Sequence, residues 1–218
     1  MRGLWLVVLS LFLVGAANAM GGQNPPQGEH RLFSPEDLGI LESPDRDEWQ
    51  QPDRIMDALQ IADASRVADI GAGGGWFTVR LARRVGQNGR VYAQDVQRQM
   101  IDSIKRRALA QGLMNVETVL GGLDDPKLPP GLDAILMVDT YPQLADPIAM
   151  LRYVKAALAP NGLVGIVDWT TDGAGGPGPA LAERVDPEKI RRDAQAAGLR
   201  FQMHHKFLRY QYLLVFGR

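Results

Sequence analysis

The sequence contains no cysteine, which at once removes disulfides, thiolate catalysis and cysteine-based zinc sites. Histidine is nearly as scarce. His30, His204 and His205 are the three present, and none stands at the H-x-x-x-H spacing of a helical metal site. No metal centre is expected. An excess of charge of one sign is missing too: Lys and Arg total 24 against 25 Asp and Glu, so no basic field points to nucleic acid as a partner. There is no G-x-S-x-G elbow to mark an α/β-hydrolase.

What the chain has instead is one informative stretch, Val67-Ala68-Asp69-Ile70-Gly71-Ala72-Gly73-Gly74-Gly75-Trp76-Phe77. Val67 and Ile70 suit a buried parallel strand, and Phe77, Leu81 and Val85 recur at helical spacing. Between them Gly71, Gly73 and Gly75 permit positive φ and let a ligand approach the backbone. A strand–turn–helix of this kind belongs at the carboxyl edge of an open α/β sheet, where nucleotide-like ligands bind. A dinucleotide fingerprint needs a third glycine where this chain has Trp76. Asp69 at the strand end would repel a pyrophosphate and pair with a cationic amino group. The implied ligand is cationic at one end and carries no phosphate, a description that S-adenosylmethionine fits.

Asp69 to Gly75 resembles the first motif of class I S-adenosylmethionine-dependent methyltransferases, and the resemblance runs from about Ile55 to the C-terminus. The look-alikes are small bacterial enzymes with a ubiquinone/arsenite-methyltransferase-like core. That likeness implies an α/β fold: a Rossmann-like, doubly wound sheet of seven strands in the order 3-2-1-4-5-7-6, with strand 7 antiparallel. It also implies S-adenosylmethionine as methyl donor and a small-molecule or lipid acceptor.

The second strand, Val91 to Asp95, ends in another acid, 26 residues beyond Asp69. A carboxylate at that distance can accept both ribose hydroxyls of an adenosine, and the matching family acid has that role, with Val96 beside it. After the third strand, Val116 to Leu120, the family places an Asp that bonds the adenine amino group. Here Gly122 stands there, leaving Leu123 or Asp124 as substitutes. The apolar run Leu132 to Val138 reads as a central strand buried on both faces. It leads into Asp139-Thr140-Tyr141-Pro142, which matches the family's fourth motif beside the methionine portion of the cofactor. Cofactor-binding residues are therefore expected at Asp69, Gly71, Gly73, Gly75, Asp95, Val96, Leu123, Asp124 and Asp139.

Methyl transfer from a sulfonium rests mainly on alignment, which can supply about 7–11 kcal/mol, and needs a base only where the acceptor loses a proton. Asp139 and Tyr141 are the catalytic candidates. Trp169, Arg184, His204 and His205 are further residues on the acceptor side, although the two histidines alternate along a strand and at most one can face the site.

Elsewhere the helices start on familiar signals. Pro52, Asp146-Pro147 and Asp186-Pro187 supply caps and first-turn prolines. Met100, Ile101, Ile104 and Leu109 form the apolar face of a helix from Arg98. Pro160-Asn161-Gly162 stops a helix before a strand from Leu163 to Val167. Thr170 to Pro179 suits a mobile active-site loop. The strands at Phe201–Phe207 and Arg209–Phe216 make the last hairpin.

Residues 1–19 read as a signal peptide. Arg2 precedes an apolar run from Leu4 to Val14, and Ala17-Asn18-Ala19 offers a cleavage site. The domain plan is thus a signal at 1–19, an irregular extension and cap at 20–51, and the cofactor-binding domain at 52–218. The protein is expected to be exported, periplasmic or membrane-associated, touching the membrane only through its N-terminal segment. That location conflicts with the cytoplasmic supply of S-adenosylmethionine. It keeps a non-catalytic envelope protein with the same fold as the alternative, ahead of a nicotinamide-dependent oxidoreductase.

Overall fold

The computed structural model describes residues 43–173 and 175–218. The signal segment and most of the extension lie outside the described residues. A five-residue helix, α1 (Arg46–Gln50), leads through Gln51 into α2 (Pro52–Ala58), with Pro52 in its first turn. The chain then alternates strand and helix: β1 (Arg66–Ile70), α3 (Trp76–Val85), β2 (Arg90–Asp95), α4 (Arg98–Ala110), β3 (Val116–Leu120) and β4 (Leu132–Val138). It finishes with α5 (Pro147–Ala157), β5 (Leu158–Trp169), α6 (Pro187–Ala196), β6 (Arg200–His205) and β7 (Gln211–Gly217).

The sheet order is β3-β2-β1-β4-β5-β7-β6. β1 to β5 pair in parallel, and β7 runs antiparallel to both β5 and β6. This is the doubly wound arrangement expected from the sequence. Strand residues alternate between two cores, as a pleat with helices on both faces requires. Val67, Ala134, Leu136, Val167, Leu213 and Val215 pack with Ile55, Phe77 and Leu81 on the α2–α3 face. Ala68, Ile135, Met137, Val164, Ile166 and Leu214 pack with Leu151, Val154 and Ile190 on the α5–α6 face. Asp146 and Asp186 cap α5 and α6, accepting from the amides of Ala149 and Glu188 at 2.9 Å each.

Four local expectations change. Arg46 to Gln50 is a helix rather than a charged irregular stretch. Leu109 lies on the outer side of α4 at 75% exposure, because Ile101, Ile104 and Ala108 already fill the inner stripe. β5 begins at Leu158, five residues early, and runs through Pro160-Asn161-Gly162; Leu158 already pairs with Leu132, across an irregularity in the register. The final hairpin is shorter than expected, since residues 206–210 form its turn.

Candidate functional site

The carboxyl ends of β1, β2, β4 and β5 converge at one edge of the sheet, and each carries an acid. Between β1 and α3 the three glycines all take positive φ: +68° at Gly71, +53° at Gly73 and +82° at Gly75. Their surroundings differ. A Cβ on Gly71 would lie 2.3 Å from Thr140 Oγ1, and one on Gly75 would press on Ile104 at 3.2 Å. At Gly73 nothing lies within 4 Å. Two glycines are therefore fixed by packing, and the third opens the backbone to a ligand.

Asp95 holds that turn in shape. Its Oδ2 accepts from the Gly73 amide at 3.0 Å and its Oδ1 from the Gln97 amide at 2.9 Å. Burial raises the Asp95 carboxyl against the pull of the Gln97, Gly73 and Val96 amides. Val96 itself is half-buried in the same turn. Asp69 is 3% exposed, and its Oδ2 accepts from Thr78 Oγ1 at 2.7 Å. Burial pushes the Asp69 carboxyl up to about 6, opposed by the Thr78 hydrogen bond. Leu123 and Asp124 are exposed in the loop after β3, where Gly122 donates to Asp125 O at 2.7 Å.

At the end of β4, Asp139 is a non-glycine residue at φ +55°. Its Oδ1 accepts from Gln211 Nε2 at 2.7 Å. Burial pushes the carboxyl up to about 7, while Arg46, Gln211 and Trp169 pull the other way. Next to it Asp168 is fully buried. Its Oδ1 accepts from the Trp169 amide at 2.8 Å, and its Oδ2 has no hydrogen-bond partner among the described residues. Burial, then the neighbouring Asp139, push Asp168 up to about 8.

Tyr141 is 2% exposed, and its hydroxyl donates to Asp193 on α6, so it fastens a helix to the end of β4. Arg184 is also spoken for: its guanidinium donates to the carbonyls of Pro179, Thr170 and Gly175 at 3.0, 3.0 and 3.5 Å. Arg184 thus bridges Thr170 and Pro179, the two ends of the loop expected to be mobile. Trp169 is buried against Trp49 at 5.5 Å, and Gly178 lies flat on it, where a Cβ would come within 2.4 Å of the ring. His204 and His205 sit on β6, the outermost strand, against Tyr212 and Phe207. Neither histidine is brought to the converging acids.

Asp168 and Gln211 were missed, while Arg46, Gln50 and Thr140 lie in stretches the sequence marked without giving these residues a role. α1 lies over the first turn of α3. Arg46 stacks on the Trp76 ring at 4.2 Å, Arg80 stacks on the same ring at 3.5 Å, and Asp47 pairs with Arg80 at 2.7 Å. The one available signal was Gln211, a polar residue opening an otherwise apolar strand. Among the described residues no group of three acids or histidines could hold a metal ion, and no helix is long and apolar enough to cross a membrane.

An open glycine turn flanked by acids on a seven-stranded sheet of this order fits the methyltransferase resemblance better than a dinucleotide fold. Residues 67–162 match the methyltransferase domain family. The structure is similar to a S-adenosylmethionine-dependent methyltransferase from Aquifex aeolicus, with a TM-score of 0.80 and 26% identity over 84% of this chain and 98% of that one. The sequence is 30% identical to (S)-coclaurine N-methyltransferase of Thalictrum flavum subsp. glaucum over 105 residues, 48% of this chain and 29% of that protein. It is 30% identical to aklanonic acid methyltransferase of Streptomyces sp. strain C5 over 76 residues, 35% of this chain and 34% of that protein. The chain thus matches only about a third of the length of these curated relatives. Residues 67–162 thus match a methyltransferase domain, on a fold like that of a S-adenosylmethionine-dependent methyltransferase.

Proposed function

We propose that the whole protein transfers a methyl group from S-adenosylmethionine to a small-molecule or lipid acceptor. The observation that carries this is the open backbone at Gly73, held by Asp95, in a turn that leaves β1 between β2 and β4. Carboxylates at the ends of three neighbouring strands, Asp69, Asp95 and Asp139, suit a ligand with a sulfonium, an ammonium and a ribose diol, and they disfavour a pyrophosphate. When bound, S-adenosylmethionine supplies an already activated methyl group. The chain's own task is then to hold it and exclude water. In this reading Asp95 accepts the ribose hydroxyls, Asp69 and Asp139 face the cationic end, and Leu123 and Asp124 border the adenine. Asp139 is the group poised to take an acceptor proton, since its carboxyl titrates near neutrality. The two curated relatives are named for small molecules, which supports that acceptor class over a lipid.

Calorimetry on the purified protein tests the reading. S-adenosylhomocysteine should bind and NAD should not. Binding of NAD with no response to S-adenosylhomocysteine would overturn it.

The same reading keeps residues 1–19 as an export signal, on the strength of Arg2, the apolar run and Ala17-Asn18-Ala19. N-terminal sequencing from fractionated cells should find Met20 first. Full-length protein in the cytoplasm would sink the export claim. Cleaved protein without cofactor affinity would shift the assignment to a non-catalytic envelope protein that keeps the fold.

A further inference from the structure

Four side chains from three distant parts of the sequence form one buried line that ends on Asp139. Arg46 Nε donates to Gln50 Oε1 at 2.5 Å, Gln50 Nε2 donates to Gln211 Oε1 at 2.8 Å, and Gln211 Nε2 donates to Asp139 Oδ1 at 2.7 Å. Gln50 and Gln211 are 0% and 1% exposed. Burying two primary amides is costly unless both ends are bonded, and here the bonds run in series.

The line joins two things that would otherwise be independent. One end is α1, which at five residues cannot hold a helical shape alone. It keeps its place through Arg46 and Arg80 on the Trp76 ring, Asp47 on Arg80, and Trp49 on Trp169. The other end is the carboxylate at the tip of β4, on a residue whose own backbone is left-handed. The Gln211 amide, together with Trp169, holds that carboxylate in one orientation.

We propose that Gln211 and Gln50 are positioning residues, which fix the Asp139 carboxylate toward the cationic end of the methyl donor only while α1 is seated. The inference rests on the methyl-donor site proposed above. It differs from a purely fastening role for the same amides. A fastener lost lowers the melting temperature and leaves the ligand affinity of the folded protein unchanged. A positioning residue lost weakens the ligand, and its effect disappears when Asp139 is no longer a carboxylate.

The test is a set of S-adenosylhomocysteine titrations on the full chain, with melting curves alongside. Gln50→Leu and Gln211→Leu should each weaken binding roughly three- to tenfold, the worth of one hydrogen bond. The double variant should be no weaker than either single one, and neither change should matter in an Asp139→Asn background. Gln50→Glu guards against misfolding: it strengthens the tie to Arg46 and keeps α1 down, but removes the N–H that Gln211 accepts. It should still weaken binding. Wild-type affinity in Gln50→Glu and Gln211→Leu overturns the inference while leaving the methyl-donor site intact. Failure of the unaltered protein to bind S-adenosylhomocysteine overturns both.

Discussion

Asp95→Ala is expected to weaken S-adenosylhomocysteine binding by roughly ten- to a hundredfold. Hydrogen bonds to a charged group contribute about 1.5–3 kcal/mol, and about 1.4 kcal/mol is a factor of ten. Two losses combine here. The carboxylate that would accept the ribose hydroxyls goes, and so do the anchors of the Gly73 and Gln97 amides, at 3.0 and 2.9 Å. Asp95→Asn separates them. It retains one acceptor oxygen for an amide but presents N–H groups where acceptors are required, so its loss should be smaller and its melting temperature closer to wild type. Asp95 is buried at a strand end, outside the two apolar clusters, and the fold should survive both changes. Calorimetry showing unchanged affinity in Asp95→Ala, together with a sharp fall in melting temperature, would make Asp95 a structural residue only.

The ligand-free protein should lose stability as pH rises from about 4 to about 8, the reverse of ordinary acid denaturation. Asp69, Asp139 and Asp168 are pushed up to about 6, 7 and 8 by burial. The folded state therefore holds protons that the unfolded chain has released. Stability from such groups is complete below their unfolded value and is lost as pH climbs through the folded ones. One pKa unit is worth about 1.4 kcal/mol, enough to move the melting temperature of a chain this size by several degrees. The other groups facing this cluster are Asp95, itself raised by burial and disfavouring ionised Asp69, Arg46, which favours ionised Asp69 and Asp139, and the Tyr141 and Tyr212 hydroxyls, both raised by burial. Asp193 works in the opposite sense. Burial alone would raise it, but bonds from Lys189 and Tyr141 bring it below its ordinary value, so its contribution is lost only in acid. Asp168→Asn should flatten the upper part of the curve, and melts in constant-ionic-strength buffers from pH 4 to 9 would show it. His204 and His205, lowered by burial, add a rise of their own as pH increases, so a profile with no fall between pH 5 and 8 would mean these carboxyls are already ionised. Ligand affinity should run the other way, since a cationic ligand needs Asp139 charged and should bind more tightly above about pH 7.

The parts of this arrangement that could be read from the sequence are the local ones. Gly71, Gly73 and Gly75 need positive φ in one short turn, and Asp95 follows at the length of one strand–helix–strand unit, so spacing alone places them. The sheet order came with the resemblance those residues carry. Asp146 and Asp186 were legible as caps because capping is settled within three residues. Gln50 and Gln211 were not, because they stand 161 residues apart and neither has a local reason to be buried. Arg46 to Gln50 has too few apolar residues to announce a helix; its shape comes from Trp76 and Arg80 beneath it. Arg184 and Tyr141 were readable as polar groups near the site, but their partners, three loop carbonyls and Asp193, are made by tertiary folding alone. β5 overran Pro160 because pairing with β4 begins at Leu158, and a register of that kind is not written into either strand by itself.

The stacking of α1 also decides how this protein can be watched. Of four tryptophans, Trp5 precedes the described residues, and Trp49, Trp76 and Trp169 all lie at the carboxyl edge of the sheet. Trp76 lies against two guanidinium groups, and Trp49 stacks at an angle on Trp169 with its indole N–H lacking a partner among the described residues. Among the described residues, indole emission therefore comes wholly from this one edge of the sheet. Intrinsic fluorescence is then a label placed by the fold itself, and the seating of α1 can be followed in real time with no dye attached.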